Sequence, residues 1–227
     1  RYKRFKIANN YRSAIGDDMR ANINLHNMDC IEAMREMEDG QFDLAIVDPP
    51  YGVNLSGGRG NNGWTQKEYW DKARKGWNLN VPDSQYFDEL FRISNSQIIW
   101  GGNYFVLPPT QCWLIWDKGQ RGFSLADGEM AWTSFNKAMR IKTIHRGTAN
   151  AENKIHPTQK PIILYKWLLQ NCAKEGDKIL DTHAGSFSIG IACWDMGYDL
   201  EAYEIDKEYY DKAVKRFNTH CQQKLLF

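Results

Sequence analysis

A chain of 227 residues with 42% hydrophobic residues and a mean hydropathy of −0.62 is long enough for one large α/β domain and too polar for a membrane protein. No apolar stretch approaches the roughly 20 residues of a membrane span, and Arg1-Tyr2-Lys3-Arg4 leads into no apolar signal core. A net charge of +1 by itself argues for no partner, and five scattered cysteines without a CxxC pair exclude a disulfide frame and point to the reducing cytoplasm.

The elements follow from periodicity. Asn22–Asn27 alternates as a short strand does, and Cys30–Met37 has helical spacing at Ile31, Met34 and Met37. Leu44-Ala45-Ile46-Val47 is an apolar run, and Phe42–Val47 reads as a buried strand ending at Asp48. Asn54–Gly63, dense in Gly and Asn, reads as a loop, and Val81-Pro82-Asp83 opens a helix running to Phe91. Ser96–Trp100 and Cys112–Trp116 read as strands around the break at Leu107-Pro108-Pro109. Glu129–Ser134 and Arg140–His145 read as two further strands, expected to pair as a hairpin near a sheet edge. A helix over Pro161–Cys172, a strand over Lys178–Leu180, a helix over Phe187–Met196, a strand over Leu200–Ile205 and a helix over Lys207–Thr219 complete the chain. Strands alternating with helices predict a single α/β domain over 1–227 with a doubly wound, mostly parallel, Rossmann-like sheet.

Three segments carry candidate chemistry. Asp48-Pro49-Pro50-Tyr51 puts a carboxylate at a strand end, two prolines that stiffen the chain and remove two donors, and an aromatic ring behind them. A planar base with an exocyclic amine fits such a site, as does the plainer reading of a rigid turn. Asp181-Thr182-His183-Ala184-Gly185-Ser186 reads as strand, small-residue turn and helix, and Glu204 follows 19 residues after Gly185. An acid at that distance can hold ribose hydroxyls, which fits NAD, a nucleotide or S-adenosylmethionine. The absence of GxGxxG and of GxxxxGK[ST] disfavours a dinucleotide site and a P-loop. In His156-Pro157-Thr158-Gln159-Lys160-Pro161, the Thr158 hydroxyl and the Lys160 ammonium could grip a carboxylate at a helix start. His145, His156 and His183 have no ligand spacing, so no metal is expected.

In this order the segments resemble the amino-group DNA methyltransferases of the permuted β class, over about Asn24 to Phe217. The resemblance implies the fold of S-adenosylmethionine-dependent methyltransferases. It gives Asp48 and the Pro49 carbonyl, with Pro50 between them and the ring, to the target amine, and Tyr51 to stacking on a flipped base. It implies cofactor contacts from Asp29 and Cys30 to the adenine, Glu204 to the ribose, Asp181, Ala184, Gly185 and Ser186 to the methionine part, and Thr158 and Lys160 near its carboxylate. Asp48 itself adjoins the cofactor. DPPY rather than SPPY leans toward adenine N6, with cytosine N4 as the alternative and a catalytically silent DNA-binding protein as the rival outside enzymes. Two departures are Thr182-His183 for the usual Pro-Phe and Phe187 for the last glycine of Gly-Ser-Gly.

Double-stranded DNA is the partner so implied. Residues 54–80 and 136–155 are the candidate recognition segments, with Arg59, Arg74, Lys75, Arg140 and Arg146 facing phosphates or guanine edges. The resemblance also suggests a homodimer. Gln223-Lys224-Leu225-Leu226-Phe227 resembles a sliding-clamp-binding pentapeptide, against the plainer reading of a tail folded on apolar surface.

Overall fold

The computed structural model describes residues 21–52, 81–122, 126–145, 147–148, 152, 154–156 and 158–224. Arg59, Arg74, Lys75, Arg146 and Leu225–Phe227 lie outside the described residues. In chain order the elements are β1 (Ile23–His26), α1 (Cys30–Arg35), β2 (Phe42–Val47), α2 (Ser84–Ile93), β3 (Ser94–Trp100), β4 (Leu114–Asp117), β5 (Gly128–Thr133), β6 (Arg140–Thr143), α3 (Ile162–Cys172), β7 (Lys178–Asp181), α4 (Ser188–Met196), β8 (Asp199–Tyr203) and α5 (Lys207–Lys224).

Alternation along β2 sets the layers. Leu44 and Ile46 enter one core with Leu164 and Leu168 of α3, Ile189 of α4 and Phe217 of α5. Ala45 and Val47 enter the other, with Met34 of α1 and Leu90 and Ile93 of α2. A strand buried on both faces must be apolar there, which is why Leu44–Val47 reads as a continuous run, with the half-buried Asp43 at its start. Arg92 joins α1 to α2 by donating to the carbonyls of Met34 and Met37, both at 2.8 Å.

The eight-stranded sheet has the order β1-β8-β7-β2-β3-β5-β4-β6. Neighbours are parallel except at β5, which runs antiparallel to β3 and β4. The chain proceeds outward from β2 to β3 in one direction and from β7 to β8 in the other. The order therefore reverses between β2 and β7, and a crevice opens at their carboxyl ends.

The hairpin expected between Glu129–Ser134 and Arg140–His145 does not form. Both edges of β5 are taken by β3 and β4, so β6 can join only the outer edge of β4, in parallel, with Ile141 opposite Ile115. The antiparallel hairpin near the sheet edge is built from β4 and β5 instead. At the far end, α5 runs to Lys224, so the pentapeptide of the tail begins inside a helix.

Phe187 explains how the Gly-Ser-Gly turn tolerates a ring. It adopts φ +60°, the left-handed conformation glycine usually supplies, just before α4. Its ring is fully buried and meets Phe217 at 5.4 Å between centroids. Gly190 leaves the space, since a Cβ there would stand 2.4 Å from the ring. The ring therefore packs into the core and does not reach a ligand in the crevice. Burying an aromatic ring outweighs the strain of one left-handed residue. Replacing Phe187 by Gly is expected to lower stability by about 2–3 kcal/mol, read by urea unfolding, despite relaxing the backbone.

Candidate active site

Three strand ends and two helix starts meet over the crevice. β2 delivers Asp48 and Pro50, β7 the turn Thr182–Ser186, β8 Glu204, and the start of α1 Asp29 and Cys30. With His156, Thr158 and Lys160 ahead of α3, they line a cleft of about 560 Å³. A larger, more open hollow of about 680 Å³, walled by Phe91, Pro108 and Trp132 among others, has no ionisable side chain in its lining. The chemistry is therefore assigned to the cleft.

The glycine turn is fixed by its surroundings. The Ala184 N–H donates to the Tyr203 carbonyl at 2.8 Å, tying the turn to β8. The Glu204 carboxylate accepts from the Gly185 N–H at 2.8 Å and from the Asp206 N–H at 2.9 Å, one through each oxygen. Burial still pushes the Glu204 carboxyl up, while these bonds pull it down. Asp29 caps α1 by accepting from the Ile31 N–H at 2.8 Å and lines the cleft. Beside it, burial pushes the Cys30 thiol up to about 12, so it is an inert wall. Thr182 hydrogen-bonds Tyr86 at 2.7 Å and His183 at 2.9 Å. Burial lowers His183 to about 4, which keeps that wall neutral. Asp181 is 1% exposed, behind the lining, and accepts from the His183 N–H at 2.9 Å. Burial raises its carboxyl to about 8, with the charges of Asp48 and Glu204 adding to the effect.

Lys160 and Tyr51 both turn onto Asp48. The Lys160 ammonium does not reach out for a cofactor carboxylate; it donates to Asp48 Oδ2 and lies 3.3 Å from Glu129 Oε2. Its side chain is only 2% exposed. A buried ammonium needs anions, and these two supply them: burial would lower its pKa, but Asp48 and Glu129 hold it raised. The Tyr51 hydroxyl donates to Asp48 Oδ1 at 2.5 Å. Its ring stacks on Tyr104 at 5.1 Å, so one face is already covered. Gly101, at φ +67°, lets that ring approach, because a Cβ there would sit 2.2 Å from it. Asp48 thus lines the cleft with both of its oxygens already engaged.

The family model of the N6/N4-type DNA methylases matches residues 97–215. The chain belongs to this DNA methylase family. It is 24% identical over 234 residues to the Type II methyltransferase M.HpaI of Haemophilus parainfluenzae, covering 83% of this chain and 72% of that one. It is 24% identical over 254 residues to the Type II methyltransferase M2.MboI of Moraxella bovis, covering 90% of this chain and 93% of that one. Among solved structures, the fold is shared with the M1.HpyAVI–SAM complex at TM-score 0.53 and 19% identity, over 86% of this chain and 99% of that chain. It is shared with the cytosine-N4-specific PvuII DNA methyltransferase at TM-score 0.54 and 14% identity, over 92% and 94%.

The methylase fold gathers Asp29, Cys30, Asp48, Pro50, Thr158, Lys160, Ala184, Gly185, Ser186 and Glu204 in one cleft wall. Pro49, Tyr51 and Asp181 are not in its lining. Arg140 is elsewhere: it begins β6 opposite Leu114, at the amino-terminal end of that strand and away from the carboxyl ends that form the crevice. Glu129, Lys118 and Tyr104 were not legible as site residues. Glu129 lies on a half-polar strand with no local motif, and only the β4–β5 pairing carries it to the cluster, where Lys118 holds it at 2.7 Å. Because both Glu204 oxygens accept backbone N–H groups, Glu204→Gln would set an amide N–H₂ against a buried donor. Thermal unfolding of this variant is expected to show a loss of about 1–3 kcal/mol, unlike an ordinary exposed Glu→Gln change.

Proposed function

We propose that the chain is a site-specific DNA methyltransferase that moves a methyl group from S-adenosylmethionine to the N6 amine of a flipped-out adenine. The observation that carries this reading is the Asp48 carboxylate in the wall of the switch-point cleft, one strand away from the glycine turn and two from Glu204. The charge of the cleft supports a cationic ligand. Asp29, Asp48, Asp83, Glu204 and Asp206 line it against the single ammonium of Lys160. A sulfonium with an ammonium group finds its complement there.

When bound, S-adenosylmethionine supplies an electrophilic methyl. The rest falls to the chain. An adenine amine is a poor nucleophile because its lone pair is delocalised into the ring. Asp48 and the Pro49 carbonyl accept its two hydrogens and favour a pyramidal nitrogen, which is preorganised electrostatics at the reacting atom. Pro49 and Pro50 hold these acceptors rigidly, and positioning supplies much of the rate. The surplus proton leaves to solvent. Within a duplex the base is out of reach, so it is flipped, and the Tyr51–Tyr104 pair offers aromatic surface to replace lost stacking. Lys160 stays protonated and takes no proton from the amine.

The aspartate form of the motif supports adenine. The fold shared with a cytosine-N4-specific enzyme keeps cytosine N4 as the second reading. Digesting methylated DNA to nucleosides separates them: N6-methyl-2′-deoxyadenosine is expected, and N4-methyl-2′-deoxycytidine overturns the adenine assignment. Asp48→Ala is expected to abolish tritiated-methyl transfer, with cofactor affinity changed less than about threefold. Retained incorporation would refute the mechanism.

Asp181 adds a pH signature. A carboxyl raised to about 8 is mostly protonated at pH 7. A cationic ligand in the cleft favours its ionised form, so binding releases protons below pH 8, and affinity rises with pH until it levels off above 8. Calorimetric titration in two buffers of different ionisation enthalpy is expected to show this release at pH 7 and none at pH 9.

A further inference from the structure

Each oxygen of Asp48 already holds a donor. The Tyr51 hydroxyl holds Oδ1 and the Lys160 ammonium holds Oδ2. The ammonium is a donor of the same kind as the target amine, and it already sits where an amine would bind the carboxylate. It is not locked there. Glu129 Oε2 lies 3.3 Å from the same nitrogen, and the Tyr51 hydroxyl also lies at 3.3 Å. Glu129 is braced from its other oxygen by Lys118 at 2.7 Å, so it is a fixed anion rather than a wandering one. Lys118 and Lys160 outweigh the burial that would otherwise push the Glu129 carboxyl up. The rings of Trp100 and Tyr51 flank the ammonium at 5.1 and 5.8 Å, a path that a cation can follow at low cost.

We propose that Lys160 is a place-holder for the target amine, and that Glu129 is the positioning residue that receives the Lys160 ammonium when the amine docks on Asp48. In the resting enzyme Lys160 satisfies Asp48 and keeps its carboxylate aimed at the cleft. When the base enters, the amine takes over Oδ2 and the ammonium shifts the short way to Glu129. No charge leaves the site, so the exchange avoids stranding a buried ion. This rests on the amine-methylation reading given above.

The decisive experiment is a double-variant cycle on kcat. Glu129→Gln removes the seat, so Lys160 stays on Asp48. Its kcat is expected to fall about tenfold or more, with cofactor affinity within about twofold of wild type. Adding Lys160→Met removes the trapped ammonium, and the double variant is expected to be faster than Glu129→Gln alone. If Lys160 only neutralises Asp48, the double variant is equal to or slower than the single one, and the proposal is overturned. Should the buried Met variant fail to fold, Lys160→Gln in the same background gives the same comparison. A readout without substitution uses the wild-type chain labelled with ¹⁵N-lysine. The Lys160 Nζ resonance is expected to move when duplex DNA is added to the protein saturated with a non-reactive cofactor analogue, and no movement refutes the handover. A wild-type protein that methylates no DNA amine would instead remove the underlying reading, so the two failures are distinguishable.

Discussion

Everything at the site depends on one pairing, β2 beside β7, with Ala45 opposite Leu180. Two parallel neighbours end on the same edge, so Asp48 and Asp181 are delivered to the same end of the sheet, two residues apart in register, in a partly buried space. Like charges in low dielectric repel strongly. The molecule relieves this in two ways. Asp181 sits behind the cleft wall with its carboxyl raised to about 8, and so is mostly neutral at pH 7. Asp48 is met by the Lys160 ammonium and the Tyr51 hydroxyl. Two adjacent acids are thereby separated in role: one is a concealed, protonatable group and the other a braced acceptor.

The cation that stabilises Asp48 comes from far along the chain, and so does the anion that stabilises the cation. Lys160 precedes α3, Glu129 is on β5 and Lys118 follows β4. Replacing any one of these partners leaves a buried charge uncompensated, so the network behaves as a unit. The antiparallel pairing of β4 with β5 therefore does more than widen the sheet. It carries a carboxylate to the rear of the catalytic corner, which a purely parallel continuation would not place there. The sheet edge and the reaction centre are coupled through the Lys118–Glu129–Lys160 chain.

The doubly wound core was legible because its signals are local. A strand buried on both faces shows as an apolar run at Leu44–Val47, and helices show as spaced Ile and Met residues. The acids Asp48 and Glu204 and the turn at Gly185 were legible because strand ends are where ligands bind in such sheets. What was not legible depends on pairing between distant segments. Nothing at Arg140–Thr143 says that β5 is already paired on both edges. Nothing at Lys160 says that its ammonium turns inward to Asp48 rather than outward to a ligand. Phe187 was misleading for a different reason: its left-handed φ is unfavourable alone, and only the space over Gly190 and the contact with Phe217 make it tolerable.

The acidic lining of the cleft also limits how DNA can approach. Among the described residues, five carboxylates and one ammonium line it, a field that favours a cation over a phosphate group. On the proposed reading, the duplex is then held by groups outside this lining, and an uncharged base enters at the least electrostatic cost. Such a base would bring the two hydrogens of its amine and no charge to Asp48, so the field that suits the cofactor would also select a neutral base over the backbone that carries it.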